Sequence, residues 1–243
     1  MLFRSEDYNL KLFMARAADK AERFDDVIMY IKEIIDAGNE LNSDERNLLS
    51  VAYKAQTGLC RNTLRTVNAF LEDDSVKVIP ERVKSLNELK KSLVGELDHY
   101  CNDIIGLIDQ KLLREDQDAA TRVFYEKMKA DYYRYSVEFK EDKTYGAQKA
   151  KEEYERAMEI AKENLKLANP AYLGLALNYS VFLYEIVGSK QDAMDLADGT
   201  FNEAVALLDE LSEDEYSEAT LILQLIKDNI ALWSDEIGRA SCR

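Results

Sequence analysis

The sequence has 243 residues, of which 47% are hydrophobic, 33% charged and 9% aromatic, and it contains only 2 Pro and 9 Gly. This composition supplies a substantial apolar core, which excludes a disordered chain, but it lacks the turn residues that a sheet protein needs. The formal net charge of −15 makes the mean surface field repel nucleic acid and anionic lipid, which excludes general polyanion binding. We therefore predict an all-α fold with no nucleic-acid or membrane partner, in which any anion site is a local cluster of cations.

The cysteines and the first residues indicate the compartment. Cys60, Cys101 and Cys242 are odd in number and lack CxxC spacing, so they predict neither a disulfide framework nor a zinc ribbon. The first ten residues contain charges and no apolar signal-peptide core, and no stretch approaches 18 uncharged apolar residues. We expect no leader and no membrane span, and a reducing location in the cytoplasm, with the nucleus as a second compartment.

The last eight residues, EIGRASCR at 236–243, break the acidic character of the sequence before them. They also match one reading frame of a common sequencing adapter. An ordinary frayed terminus is the alternative. We interpret 236–243 as adapter read-through that is not part of the natural protein, and we leave it out of the fold prediction.

Apolar periodicity predicts nine helices and no strands. In chain order, the first two share 2–37, and the others lie at about 47–71, 81–113, 119–140, 148–167, 172–187, 191–211 and 216–233. Gly38 and Gly188 stand where a helix C-terminus favours glycine, and Pro80 stands where a first helical turn accepts proline. Short links between consecutive helices favour antiparallel packing, and no 34-residue repeat indicates a tetratricopeptide array.

The predicted third helix carries a stripe of cations. Lys54, Arg61 and Arg65 follow at i, i+7 and i+11, which places them within about 20° of one line on the helix surface. On spacing alone, a solvated face paired with glutamates is the better interpretation.

The predicted fifth helix carries a second pair of cations seven residues apart, Lys127 and Arg134. Asp131, three residues before Arg134, can orient the guanidinium group, and Tyr135 adds a phenolic donor. Two such stripes on facing helices would converge on a dianion, because the planar fork of arginine matches phosphate oxygens.

Two further helices combine apolar residues with asparagine. One groups Leu177, Asn178, Val181 and Glu185 on one side, and the other groups Leu221, Leu225, Asn229, Leu232 and Trp233. Periodicity alone favours a core stripe in which each asparagine is satisfied internally. The alternative is the wall of a groove for an extended peptide, whose backbone the side-chain amides would bond.

Four long segments closely resemble the hallmark segments of 14-3-3 proteins. They are ERNLLSVAYK (45–54), VFYEKMKADYYRY (123–135), LGLALNYSVFLYEI (173–186) and ATLILQLIKDNIALWSDE (219–236). The resemblance implies nine antiparallel helices in one cup-shaped subunit with a concave amphipathic groove. It also implies a non-enzymatic, cofactor-free adaptor that dimerises and binds phosphoserine or phosphothreonine motifs of client proteins.

The same resemblance assigns residues to these functions. The phosphate ligands would be Lys54, Arg61, Arg134 and Tyr135. The groove would be lined by Lys127, Asp131, Leu177, Asn178, Val181, Glu185, Leu221, Leu225, Asn229, Leu232 and Trp233. It implies one domain over 1–235, in which the helices to about 113 supply the dimer contact and groove floor, and those from about 117 supply the groove walls.

The dimer contact departs from the family pattern in one respect. Arg23 and Glu96 preserve one family ion pair, and Asp26 is present for a second. The lysine that would pair with Asp26 is replaced by Ser92, although either of the two lysines just before it could substitute. The resemblance therefore implies a homodimer or a heterodimer with a related chain, and it specifies dimerisation less fully than phosphate binding.

Two other classes of protein compete with this interpretation. An enzyme is disfavoured because the single histidine, His99, and Cys101 are two residues apart and face different sides of a helix. His99 with Asp103, four residues apart, could in principle hold a metal ion, but an ordinary position on a helix is the better interpretation, so we expect no metal site. A helical scaffold that binds unphosphorylated amphipathic segments is the second alternative.

Overall fold

The computed structural model describes the backbone of residues 6–241 and the side chains of residues 6–236. Within that part of the chain the structure has ten α-helices and no strand, which confirms the all-α prediction. The chain divides into two compact units, Met1–Leu112 and Leu113–Arg243.

The first unit contains five helices. They are α1 (Glu6–Lys20), α2 (Phe24–Asp36), α3 (Ser43–Glu72), α4 (Asp74–Lys77) and α5 (Pro80–Leu107), and α5 continues into a π-helical turn (Ile108–Leu112). Helix α2 packs against α1 and α3, and α3 packs along α5. The core of the unit is aliphatic, with Ile31, Leu49, Leu64 and Ile104 fully buried.

The ends of the helices follow from local chemistry. The side chain of Asn42 caps α3 by accepting a hydrogen bond from the backbone N–H of Glu45. The side chain of Glu45 accepts a hydrogen bond from the backbone N–H of Asn42, and the two bonds make a capping box. Gly38, with φ +80°, follows α2 in the left-handed conformation that glycine adopts most easily. Pro80 begins α5, where no backbone donor is required.

The second unit contains the other five helices. They are α6 (Ala119–Val137), α7 (Thr144–Asn164), α8 (Pro170–Phe182), α9 (Lys190–Val205) and α10 (Glu213–Ser241). Helix α6 packs along α7, and α8 contacts α6, α7, α9 and α10, so α8 lies at the centre of the unit. Tyr154, Leu173, Phe182 and Trp233 are among the buried residues of its core.

The structure differs from the predicted helices mainly in short segments. The connector before Pro80 contains the four-residue α4, which is too short to show periodicity, so the prediction had nine helices. The helix ending at Phe182 continues as a π-helical turn (Leu183–Val187), closed by Gly188 with φ +76°. A 3₁₀ turn (Leu208–Glu210) follows α9 where the prediction continued the helix.

Two sequence interpretations fall partly outside the described residues. The predicted start of the first helix near Leu2 lies in 1–5, and Cys242 lies in 242–243. The backbone of α10 is helical through Ser241, eight residues beyond the predicted end at Trp233. Of the side chains in 236–243, only that of Glu236 lies within the described part.

None of the helices described combines the length and the apolar character that crossing a bilayer requires.

Candidate functional site

In the first unit, the predicted cations lie on α3. Lys54 and Arg65 are exposed and Arg61 is half-buried. The residue before Lys54 is Tyr53, which is completely buried and donates a hydrogen bond of 2.5 Å to Asp103 on α5. This bond fixes the turn of α3 from which Lys54 projects.

Asp103 also bonds a residue of α2, Lys32. Its second oxygen accepts a hydrogen bond of 2.6 Å from Lys32. Burial acts to raise the pKa of Asp103, but the hydrogen bonds from Lys32 and Tyr53 and the charge of Lys32 outweigh it and lower that pKa. Both carboxylate oxygens of Asp103 therefore accept hydrogen bonds from side chains of the protein. This weakens the alternative that Asp103 and His99 hold a metal ion.

In the second unit, one buried carboxylate accepts hydrogen bonds from polar side chains on three helices. Asp131 on α6 accepts hydrogen bonds from Lys127 Nζ (2.8 Å), from Asn178 Nδ2 on α8 (2.9 Å to each oxygen) and from the Tyr154 hydroxyl on α7 (2.5 Å). Arg134 Nη2 lies 3.4 Å from the same carboxylate. We call these five residues the Asp131 cluster.

The ionisation of the cluster follows from its charges. Burial acts to raise the pKa of Asp131, but the charges of Lys127 and Arg134 outweigh burial and lower it, so the carboxylate is ionised. Burial also acts to lower the pKa of Arg134, and the neighbouring Tyr154 and Asp131 raise it instead. The pKa of Tyr154 is raised well above its ordinary value by burial, so its phenol keeps its proton.

Arg134 is held by Tyr154 and Tyr135, and some of its N–H groups remain available to donate hydrogen bonds. Its Nε donates to the Tyr154 hydroxyl (3.2 Å), and its guanidinium carbon lies 4.8 Å from the centre of the Tyr135 ring. A guanidinium has five N–H donors. The bonds to Tyr154 and Asp131 use two, which leaves three without a partner among the described residues.

The predicted groove residues are distributed over α8, the turn after it and α10. Leu177, Asn178 and Val181 on α8 are half-buried, and Glu185 is exposed. Asn178 has the partner that its apolar surroundings require, because its amide bonds Asp131.

On α10, three of the predicted groove residues form an apolar stripe. Leu221, Leu225 and Leu232 are exposed, and Asn229 is half-buried. Trp233 is 4% exposed and stacks on Tyr184 at 4.6 Å between ring centres. Helix α10 contacts α8, so this leucine stripe and the half-buried residues of α8 belong to one packed pair of helices.

Tyr154 is a member of the cluster that the sequence pattern did not indicate. It lies on α7, 20 residues from Arg134, and its neighbours in sequence carry no phosphate-binding pattern. One weak signal existed: Ala150, Tyr154, Ala157 and Ala161 recur at helical spacing and are all buried, so the phenol was a polar group on an apolar face. That spacing predicts a need for a buried partner without indicating which one.

Comparison with known proteins gives the same family over nearly the whole chain. The family model described as "14-3-3 protein" matches residues 14–234. The chain is 39% identical to 14-3-3-like protein 1 of Caenorhabditis elegans over 92% of this chain and 90% of that protein. It is 38% identical to 14-3-3 protein beta/alpha-1 of Oncorhynchus mykiss over 95% of this chain and 94% of that protein. It is 39% identical to 14-3-3 protein 5 of Solanum lycopersicum over 93% and 90% of the two chains.

Proposed function

The chain belongs to the 14-3-3 family, and we propose that it is an adaptor that recognises phosphoserine or phosphothreonine in its client proteins. Members of this family are adaptor proteins rather than enzymes, and they bind client proteins and form dimers. The step from adaptor to phosphate-dependent adaptor depends on the residues of the site.

The observation that carries the proposal is the state of Arg134. Its side chain is 9% exposed and charged, and three of its N–H donors lack a partner among the described residues. These donors reach solvent, since no Arg134 atom is among the buried polar atoms of the described residues that lack a partner, so an anion can replace the water bonded there. Phosphate suits it, because two parallel N–H donors of arginine match two phosphate oxygens.

The net charge of the Asp131 cluster also favours an anion. Lys127 and Arg134 contribute two positive charges and Asp131 one negative charge, which leaves one positive charge with the phenol and the amide neutral. We assign Arg134 and Tyr135 as phosphate ligands, together with Lys54 and Arg61 of α3. Phosphate near pH 7 carries a charge of about −1.5 to −2, so a glutamate in its place should bind more weakly.

The remaining residues suit the peptide that carries the phosphate. We assign Asn178 and Asn229 as amides that bond the peptide backbone, with Lys127 and Glu185 as flanking polar contacts. The apolar contacts are Leu177, Val181, Leu221, Leu225, Leu232 and Trp233. The exposure of the α10 leucine stripe supports this assignment, because exposed leucines at helical spacing favour a partner that covers them.

The same stripe supports the alternative of a scaffold for unphosphorylated amphipathic segments, and one experiment separates the two. A single peptide is prepared in three forms, plain, phosphorylated and with glutamate at the phosphorylated position, and its affinity is measured by calorimetry. We expect the phosphorylated form to bind at least about 100-fold more tightly than the plain form, as two charge-assisted hydrogen bonds would allow. Equal affinities for the three forms would favour the scaffold.

Substitutions then locate the phosphate site. Lys54→Glu and Arg61→Ala should abolish the preference for the phosphorylated peptide and leave helical content and melting nearly unchanged, because these side chains are exposed or half-buried. Lys162→Glu, an equal change of charge at an exposed position of α7, is the control and should bind like the parent. Parental affinity in Lys54→Glu would refute the assignment.

We also propose that the protein functions in the cytoplasm and the nucleus, where protein kinases act on clients. The net charge of −15 supports partners that are proteins rather than nucleic acids or anionic membranes.

A further inference from the structure

We infer that Tyr154 is a positioning residue of the phosphate site, which holds the guanidinium of Arg134 in the orientation that binds phosphate. The inference rests on the proposed function, since it concerns how the same site recognises its ligand. It extends that function to a residue of α7, a helix from which no phosphate ligand was assigned.

The phenol of Tyr154 is the closer of the two groups that hold Arg134. The direct contact from Arg134 Nη2 to Asp131 is 3.4 Å, which is long for an N–H donor and a carboxylate. The path through Tyr154 is shorter at each step, with 3.2 Å from Arg134 Nε to the hydroxyl and 2.5 Å from the hydroxyl to Asp131. The phenol therefore links Asp131 to Arg134 Nε by a second path, in addition to the direct ion pair.

Tyr154 is suited to this role because its ring cannot move easily. The ring is completely buried, stacks on Tyr179 at 5.2 Å and contacts Phe182 at 5.3 Å, both on α8. Its hydroxyl keeps its proton, since burial raises the pKa well above its ordinary value. A neutral phenol can donate to Asp131 and accept from Arg134 at once, and it adds no negative charge that would repel phosphate.

The position of the tether determines which edge of Arg134 remains for a ligand. Tyr154 occupies Nε, at the stem of the guanidinium, and the Tyr135 ring covers one face. Nη1 and the second N–H of Nη2 are therefore the donors presented to the ligand, since Asp131 takes the first N–H of Nη2. Fixing one of several arginine rotamers before the ligand arrives lowers the ordering cost of binding.

The first test removes only the hydroxyl. Tyr154→Phe keeps the ring and its stacking, and Tyr179→Phe is the matched control, because it lies in the same stack and its hydroxyl makes only a 3.5 Å contact with Glu155. In Tyr154→Phe we expect the affinity for a singly phosphorylated peptide to fall by about tenfold, the worth of one hydrogen bond. The affinity for the plain peptide and both affinities of Tyr179→Phe should match the parent.

The second test asks whether Tyr154 acts through Arg134. Lysine has no Nε–H at the position that the phenol bonds, so Tyr154→Phe should have little further effect on phosphopeptide affinity in an Arg134→Lys background. A purely structural role would instead give the same loss in both backgrounds. Additive losses would overturn the inference.

A third measurement needs no variant and guards against misfolding of Tyr154→Phe. In the unliganded parent protein, the Arg134 Nε–H should give a resolved nitrogen-proton resonance that exchanges slowly with water, because it donates to a buried phenol. Fast exchange would overturn the positioning role. If the parent protein binds phosphorylated and plain peptides equally, the proposed function fails; if it discriminates and Tyr154→Phe still binds like the parent, only the present inference fails.

Discussion

At the scale of single residues, a second buried polar cluster lies between α6 and α7, apart from the Asp131 cluster. Glu126, Lys129 and Glu153 are 2%, 4% and 6% exposed. Lys129 Nζ lies 3.1 Å from Glu153 and 3.8 Å from Glu126, and half-exposed Arg156 lies 3.3 and 3.6 Å from the same two carboxyl groups. One oxygen of Glu126, Oε2, is buried without a hydrogen-bond partner among the described residues.

This arrangement favours a protonated Glu126. Burial, together with the hydrogen bond and charge of Glu153, raises the pKa of Glu126 to about 7 against the opposing charges of Lys129 and Arg156. The pKa in the unfolded chain is about 4.3. Because the folded value is the higher one, the contribution of Glu126 to stability is fully present below about pH 4 and is lost as the pH rises through 7.

We therefore predict that the protein loses stability between about pH 4.5 and pH 7, and that Glu126→Gln removes most of this loss. Between the unfolded and the folded pKa, each pH unit costs about 1.4 kcal/mol for one proton, so the parent should lose up to about 4 kcal/mol by pH 7 and little more above it. The measurement is urea unfolding at several pH values, with Glu163→Gln at an exposed position of α7 as the control. Parallel pH profiles for the parent and Glu126→Gln would contradict it.

The residue scale also shows which contacts a sequence can predict. The possibility that Asp131 orients Arg134 is visible in the sequence, because residues three apart on a helix face each other. The bonds from Tyr154 and Asn178 to Asp131 are not, since they join residues on three helices. The same holds for Glu126 and Glu153, whose charges look like ordinary surface residues until α6 and α7 pack together.

At the scale of helices, the predictions were best where a capping or turn residue marks an end. Gly38, Pro80 and Gly188 indicated ends that lie within a few residues of those in the structure. Ends without such a marker were less consistent: the start of α6 at Ala119 was predicted, whereas the end of α9 at Val205 was placed six residues too late. The π-helical turns after Leu107 and Phe182 continue the apolar periodicity with a wider spacing, which a 3.6-residue pattern does not distinguish from an α-helix.

The end of α10 allows a prediction about the final residues. Deleting 236–243 removes one described side chain contact, the 2.6 Å bond from the Tyr184 hydroxyl to exposed Glu236. Exposed contacts contribute little to stability. We expect the deletion to change phosphopeptide affinity by less than about twofold, which is the free energy of about one weak contact. The melting temperature should stay nearly unchanged.

A deletion that starts three residues earlier should, by contrast, destabilise the protein. Removing 233–243 also removes Trp233, which is buried against Tyr184, and loss of such an aromatic side chain costs about 3–5 kcal/mol. Thermal melting followed by circular dichroism compares the two truncations. Unfolding of the shorter deletion would show that the last eight residues are an essential part of α10.

At the scale of the whole molecule, the composition was sufficient to predict helices without strands, because the chain has few residues that make turns. We propose that 1–235 acts as one 14-3-3 domain and that the first unit carries a dimer contact. Its surface supports this, since Leu10, Phe13 and Met14 of α1 and Leu89 of α5 are exposed apolar side chains.

The charged residues proposed for that contact have partners within the single chain. Arg23 forms an ion pair with Asp26, three residues away, and both side chains are at least partly exposed. Asp26, which lacks the lysine of the family pattern, is therefore paired with Arg23. A cross-subunit pair between Arg23 and Glu96 would have to share Arg23 with Asp26, so apolar burial must supply most of the free energy of dimerisation.

We predict that the protein is a dimer and that Glu96→Lys weakens it, because the substitution places lysine opposite Arg23 of the other subunit. Two phosphate sites in one dimer let a doubly phosphorylated client bind its second site intramolecularly, which can raise affinity by about 10²–10⁴ when the spacer reaches. Glu96→Lys should therefore raise the dimer dissociation constant and remove the advantage of a doubly over a singly phosphorylated peptide, while single-site affinity persists. Asp26→Asn should lower the dimer dissociation constant, because it releases Arg23 for Glu96.

Sedimentation measures the dimer dissociation constant, and calorimetry measures the affinities for singly and doubly phosphorylated peptides. Glu163→Lys is a control with the same change of charge. A parent protein that sediments as a monomer at micromolar concentration would contradict the dimer and leave single-site phosphate binding intact.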